Sequence, residues 1–325
     1  MVDLKEKLYQ MFILGTEGGN LDEALKNGIG GVIFFTKDIQ SAEQFKTLIT
    51  SIKQKCKTKP FLSIDQEGGR VERTENIHNG KKYLSAKFAY EKGLAFLEKQ
   101  TQEIAQELRN YGINLNFAPC IDTNTNPNNP IIGERAFSSN PDEVIEAEKI
   151  VSSTYRKNGI IPCVKHFPGH GDANSDSHLT LPVIDLSLNE MEKTHIKPFK
   201  SAIENKIEMI MVAHLHCTCF EKEAIPTSLS KNTIDYLRNN LNFNGIIISD
   251  DMIMKGVAEF GEIEACERGI RAGINMFIYR NCDDKTINII EKIYQKAIID
   301  EELRKSIENS YSKIDALKKH FYGEF

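Results

Sequence analysis

The chemistry-bearing residues crowd into one stretch of fourteen, Lys165-His166-Phe167-Pro168-Gly169-His170-Gly171-Asp172-Ala173-Asn174-Ser175-Asp176-Ser177-His178. It follows the apolar run Ile160-Ile161-Pro162-Cys163-Val164, which reads as a buried strand. The strand delivers Lys165 and His166 at its C-terminal end. Pro168 and the glycines at 169 and 171 then stop any helix, so the rest lies on a loop. Asp176 and His178 are two apart, close enough for the carboxylate to orient and charge the imidazole. A histidine near its ordinary pKa of about 6.5 donates a proton when charged and accepts one when neutral. A plain polar loop is the alternative, but chemistry concentrates on loops of this kind held by a rigid scaffold. The two glycines are expected to let the loop close over a bound molecule.

Four further polar groups stand behind apolar runs. They are Asp65-Gln66-Glu67-Gly68-Gly69-Arg70 with Arg73, then Asp122 with Glu134 and Arg135, then His214 and His216, and finally Ser249-Asp250-Asp251. Carboxylates and forked guanidinium groups bind hydroxyls with fixed geometry, which suits a small polyhydroxylated substrate. A nucleophile or base and a separate acid can together cleave a glycosidic bond. Asp250, at the end of a buried run, suits the nucleophile; Asp251 fits a helix N-cap equally well. The run His214-Leu215-His216-Cys217-Thr218-Cys219 holds metal-ligand types. On a strand its histidines and cysteines face opposite ways, and a tetrahedral site needs four converging ligands. A joint metal role for His170 and Asp172 is no better supported, and no metal is expected.

These groups need a scaffold that brings distant segments to one rim. Strand-like runs occur at Met11–Leu14, Gly31–Phe35, Phe61–Ile64, Leu115–Ala118, Ile161–Val164, Met209–Ala213, Gly245–Ser249 and Ile274–Ile278. Helical patterns lie between them, at Leu21–Asn27, Ala42–Lys55, Ala86–Asn110, Pro141–Asn158, Leu188–Asn205, Lys231–Leu241 and Ile263–Ala272, and helical sequence fills Lys285–Lys319. The stretch from Pro119 to Asn140 is rich in Asn and Pro and reads as a loop too polar for the core. Eight strands, each followed by a helix, predict an α/β fold, a single-domain (β/α)8 TIM barrel over residues 1–325, with a doubly wound sheet as the alternative. In such a barrel the polar groups above share the C-terminal rim.

The 325 residues are 40% hydrophobic and 27% charged, an ordinary globular composition. With 41 basic against 46 acidic side chains the net charge is −5, so no basic excess attracts nucleic acid or an anionic membrane. No apolar run is long enough to cross a bilayer. The first residues lack an apolar segment and a small-residue cleavage site, which predicts a cytoplasmic location unless the start has been trimmed. Seven scattered cysteines do not form a disulfide framework. The oligomeric state is left open, and a monomer is compatible with the sequence.

Lys165–His178 resembles the signature of bacterial β-N-acetylglucosaminidases of glycoside hydrolase family 3. The resemblance extends over nearly the whole chain, through Asp65-Gln66-Glu67-Gly68-Gly69-Arg70-Val71-Glu72-Arg73, Gly133-Glu134-Arg135-Ala136-Phe137 and Ser249-Asp250-Asp251-Met252. It implies a two-step retaining mechanism through a covalent glycosyl-enzyme. Asp250 matches the nucleophile, His178 an unusual histidine acid/base and Asp176 its partner. Asp65, Arg73, Arg135, Lys165 and His166 match residues that hold the sugar, with Arg70 a supporting match. The usual glycosidase pairs two carboxyl groups; this chain departs from that as its subfamily does. The implied substrates are peptidoglycan fragments, N-acetylglucosaminyl-1,6-anhydro-N-acetylmuramic acid and its peptides, with no cofactor. The segment Thr74–Ser85 lacks an expected Arg- and Pro-containing stretch, which leaves the aglycone side open. A phosphorylase, a β-glucosidase and an inactive sugar-binding barrel are the alternatives.

Overall fold

The computed structural model describes residues 2–78, 80–173 and 181–323. Eight strands are numbered here as they close the barrel: β1 Phe12–Glu17, β2 Gly31–Phe34, β3 Phe61–Ile64, β4 Leu115–Asn116, β5 Ile161–Phe167, β6 Met209–Val212, β7 Ile246–Asp251 and β8 Met276–Asn281. Each pairs in parallel with its sequence neighbours, and β1 pairs with β8, Phe12 opposite Phe277, to complete the ring. The strands are apolar almost throughout because helices cover the outer face while side chains fill the inside. Hence the fold is the eightfold barrel that the alternation predicts.

The helices begin where the sequence supplies caps. Ser41 Oγ accepts the Gln44 N–H ahead of Ala42–Lys55. Asn140 Oδ1 accepts the Asp142 N–H ahead of Pro141–Lys157, whose first residue is a proline. Three helical stretches that read as continuous are broken. Ala86–Glu91 and Leu94–Tyr111 part at Gly93, Leu188–Lys193 and Ile196–Glu204 part at Thr194 and His195, and Asp284–Ile299 and Glu301–Tyr322 part at Asp300. At the last break Asp300 caps the following helix by accepting the Leu303 N–H. Outside the barrel a two-stranded parallel sheet joins Val183–Ile184 to His216–Cys217. Among the described residues no helix is long and apolar enough to cross a membrane.

The loop after β4 is not the solvated excursion its composition suggests. Cys120, Ile121, Asp122, Thr123 and Asn129 are buried, and Cys120, Ile132 and Ala136 form an apolar cluster of their own. The polar groups tolerate burial because they satisfy one another. Asn129 Oδ1 accepts the N–H groups of Ile131 and Ile132, and its amide donates to the His170 carbonyl at 2.8 Å.

Candidate active site

A cavity of about 540 Å³ opens at the C-terminal ends of the strands. Asp65, Arg73, Arg135, Lys165, His166 and Asp250 all line it, so six of the sequence-derived candidates converge. Asp176 and His178 lie outside the described residues.

The floor of the cavity is a charge network. Strand β5 runs on to Phe167, three residues past the apolar run, and carries Lys165 and His166 on buried backbone. Lys165 is 1% exposed, yet its ammonium group bridges Asp65 Oδ1 at 2.6 Å and Glu67 Oε1 at 2.7 Å. Glu67 is in turn gripped by both arms of Arg135, Nε to Oε2 at 2.9 Å and Nη2 to Oε1 at 2.8 Å. Burial pushes the Glu67 carboxyl up, but Arg135 and Lys165 outweigh it and hold the group well below the usual carboxylate range. Burial pulls Lys165 and Arg135 down, and their carboxylate partners more than reverse this, so both stay charged. The corner bearing Asp65 and Glu67 is fixed from behind. The Asn116 side chain accepts the Gln66 N–H and donates to the Gln66 carbonyl, and Gln66 Oε1 accepts the Arg73 N–H at 2.7 Å.

His166 is oriented by Asp122, which is fully buried. Asp122 Oδ2 lies 2.7 Å from His166 Nδ1, and Oδ1 accepts the His170 N–H at 2.6 Å. His166 Nε2 sits 3.3 Å from Arg135 Nη2. Burial opposes ionisation of Asp122, and the histidine beside it and the N–H groups keep it ionised. The His170 ring packs edge-on to His166, and neither of its nitrogens has a partner among the described residues. Burial lowers its pKa. Cys120, Asp122 and His166 bring three ligand-type atoms within 4.8 Å of one another. They form a hydrogen-bonded array beside Arg135.

The carboxylates at the end of β7 are set apart by their surroundings. Asp251 is ion-paired to Arg280 on β8 and accepts the Ile253 N–H at 3.1 Å, so it shapes the turn before Lys255–Ala258. Asp250 accepts only the Asp251 N–H, at 2.7 Å, among the described residues. Burial raises its carboxyl, but His166, His214 and Lys165 outweigh that and hold it below the usual range. Of the three carboxylates lining the cavity, Asp65 and Asp251 are neutralised by ion pairs and Asp250 is not. Arg73 lies over the Phe35 ring, and its Nε has no partner among the described residues. Arg70 turns away, donating to the carbonyls of Pro130 and Ile131.

Two expectations are corrected. Gly169 and Gly171 are not a free hinge. A β-carbon on Gly171 would sit 1.7 Å from the Thr123 carbonyl oxygen, and one on Gly169, at φ +127°, would sit 2.6 Å from His195 Cβ. Glycine is required there by packing. His214 and His216 do not share a strand face, because β6 ends at Val212. His214 Nδ1 lies 2.7 Å from Ser228 Oγ, and His216 Nε2 lies 2.9 Å from the Glu221 carbonyl. Glu67 and Asp122 were visible as rim acids but not as organisers. The missed signal was the imbalance of Lys165, buried, and Arg135, largely so, two cations that require anions beside them.

Comparison with known proteins now decides the family. The model of the glycosyl hydrolase family 3 N terminal domain matches residues 3–317. The chain belongs to that family. It is 33% identical over 271 residues to a beta-hexosaminidase of Methylococcus capsulatus, covering 81% of this chain and 79% of that one. It is 32% identical over 269 residues to beta-hexosaminidase A of Pseudoalteromonas piscicida, covering 76% of this chain but only 45% of that protein. Among solved structures, a glycoside hydrolase family 3 beta-N-acetylglucosaminidase from Paenibacillus sp. str. FPU-7 superposes with a TM-score of 0.92 at 28% identity, over 99% of this chain and 63% of that one. The chain thus spans about half to four-fifths of these relatives.

Proposed function

We propose that this family 3 chain is a retaining exo-β-N-acetylglucosaminidase with Asp250 as nucleophile. The observation that carries the reading is the division among the cavity carboxylates. Asp65 and Asp251 are committed to Lys165 and Arg280, which leaves Asp250 ionised and free to form a bond. No second uncommitted carboxyl lines the cavity among the described residues. The acid is assigned to His178, with Asp176 as its partner, as the resemblance of the Lys165–His178 segment implies.

The Asp250 carboxylate attacks the anomeric carbon while the acid protonates the departing glycosidic oxygen. Water, deprotonated by the same group, then releases the sugar with its configuration retained. Asp65 and Lys165 would hold adjacent hydroxyls, with Arg135 and His166 closing the other side. Arg73, with its unpartnered Nε, is a ready donor. The relatives named beta-hexosaminidase and beta-N-acetylglucosaminidase support an acetamido sugar. Peptidoglycan turnover fragments are the substrates in view, and a cytoplasmic site of action goes with them.

Hydrolysis of an aryl β-N-acetylglucosaminide beside the matching β-glucoside tests this. Asp250-dependent turnover of the acetamido sugar alone is expected, with the β-anomer released first by proton NMR. Near-normal turnover by Asp250→Ala removes the nucleophile assignment. A preference for the glucoside overturns the substrate class.

A further inference from the structure

A second cavity lies at the other end of the barrel. It measures about 980 Å³ and opens beside the N-terminal ends of the strands, where Gln10, Pro60, Ile113 and Asn114 lead into β1, β3 and β4. The long helix Glu301–Tyr322 supplies one wall, through Tyr311, Lys318, Phe321 and Tyr322.

Lys318 is the unusual residue there. Its side chain is 3% exposed, and its ammonium group donates to Gln10 Oε1 at 2.7 Å and lies 5.0 Å from the centre of the Phe61 ring. Gln10 cannot turn to offer a different face. Its amide donates to the Gly28 carbonyl and to Thr58 Oγ1 at 2.7 Å, which fixes the oxygen toward Lys318. A buried lysine ordinarily has a carboxylate beside it. Lys318 forms no ion pair among the described residues. Both acids on the cavity wall are committed elsewhere, Glu6 to Lys57 at 2.7 Å and Asp315 to Lys319 at 2.7 Å. Burial without a counter-ion brings the amine down to about 7. Lys53 and Arg109 add positive charge to the same wall. In a chain of net charge −5 this is a local reversal of sign. Leu62, Ile113 and Phe321 give the cavity an apolar flank.

We propose that this cavity binds a small organic anion, a phosphate or carboxylate group attached to an apolar body, with Lys318 as the counter-ion at its floor. The anionic group would complete the ion pair that the fold leaves open, and the body would lie against the apolar flank. The site is on the opposite face from the sugar cavity, so the proposal stands or falls independently of the hydrolase reading.

Calorimetric titration of the full chain with phenyl phosphate, and separately with benzoate, at ionic strength held constant with sodium chloride, tests it. Saturable binding of one molecule per chain is expected from at least one of the two. Phenyl phosphate alone would assign the phosphate class and benzoate alone the carboxylate class. Lys318→Met should weaken that binding at least tenfold, Lys53→Glu should weaken it several-fold, and both should keep wild-type hydrolysis. Equal affinity in wild type and Lys318→Met overturns the proposal, as does the absence of saturable binding in wild type. Should Lys318→Met not fold, Lys53→Glu decides: unchanged affinity there is equally fatal.

Discussion

Glu67→Gln is the substitution that most directly tests how the cavity at the C-terminal ends of the strands is built. The wild-type carboxylate carries three contacts of 2.7–2.9 Å to two buried cations. Glutamine preserves the shape but removes the charge and aims an NH2 group at a donor. Lys165 then keeps Asp65, while Arg135 loses the one carboxylate it pairs with among the described residues. Breaking one side of a buried ion pair costs about 3–5 kcal/mol. Glutamine retains one acceptor, so the lower end, about 3 kcal/mol, is expected, which lowers the midpoint of thermal unfolding of a chain this long by roughly 4–5 °C. The same change frees Arg135 and Lys165 to move, and KM for the aryl glycoside should rise together with a fall in kcat. The pH dependence gives an independent check. Glu67 is held below its unfolded value, so its stabilisation is complete above the unfolded carboxylate pKa and is lost as pH falls below that value. The stability of wild type to urea should fall as pH drops from about 5 to about 3, with Glu67→Gln showing a shallower decline. In Glu67→Gln/Arg135→Met the uncompensated cation is gone, and part of the stability should return. A single variant within 1 kcal/mol of wild type, with unchanged kinetics, would refute the view that Glu67 organises the site.

Three further outcomes follow from the geometry. Asp122→Asn should lower kcat/KM about 10–100-fold by releasing the His166 ring, with a smaller effect on KM than on kcat, measured on the aryl glycoside. Gly171→Ala should cost about 3 kcal/mol or more, because its methyl group meets the Thr123 carbonyl; denaturant unfolding reads this, and a loss under 1 kcal/mol contradicts the packing account. For Lys318 the folded pKa is depressed, so the unfolded chain binds more protons between about pH 7 and 10.5, and wild-type stability should gain from this residue as pH rises through that window. Lys318→Met should lack that gain, whose ceiling for a fall from 10.5 to about 7 is roughly 5 kcal/mol.

The barrel was legible because its signals are local. A run such as Phe61–Ile64, with Gly and Pro residues nearby, declares a buried strand without reference to any partner. The ends of helices were less legible. Nothing in the periodicity of Leu188–Asn205 reveals that His195 must pack beneath Gly169, and the helix breaks there. The polar residues of the site were visible as types, but their pairings join positions 100 apart for Lys165 with Asp65 and 68 apart for Arg135 with Glu67. No spacing rule encodes such contacts. The loop after β4 misled for a related reason: its asparagines look solvated until their internal partners are known, as at Asn129. Similarly, the glycines at 169 and 171 read as flexibility, although close packing explains them.

The ring closure between β1 and β8 also bears on synthesis. Asp251 is anchored by Arg280, which is near the end of the last strand, while Ile33 and Phe35 of the same cavity come from the second βα unit. A ribosome has made almost the entire barrel before the wall beside Asp250 can exist. A nascent or prematurely terminated chain lacking β8 therefore carries the Asp250 side chain but lacks the cavity wall formed by Ile278 and Arg280. On the proposed function, such fragments would be inactive on a glycan, because the wall beside Asp250 needs both β1–β2 and β8.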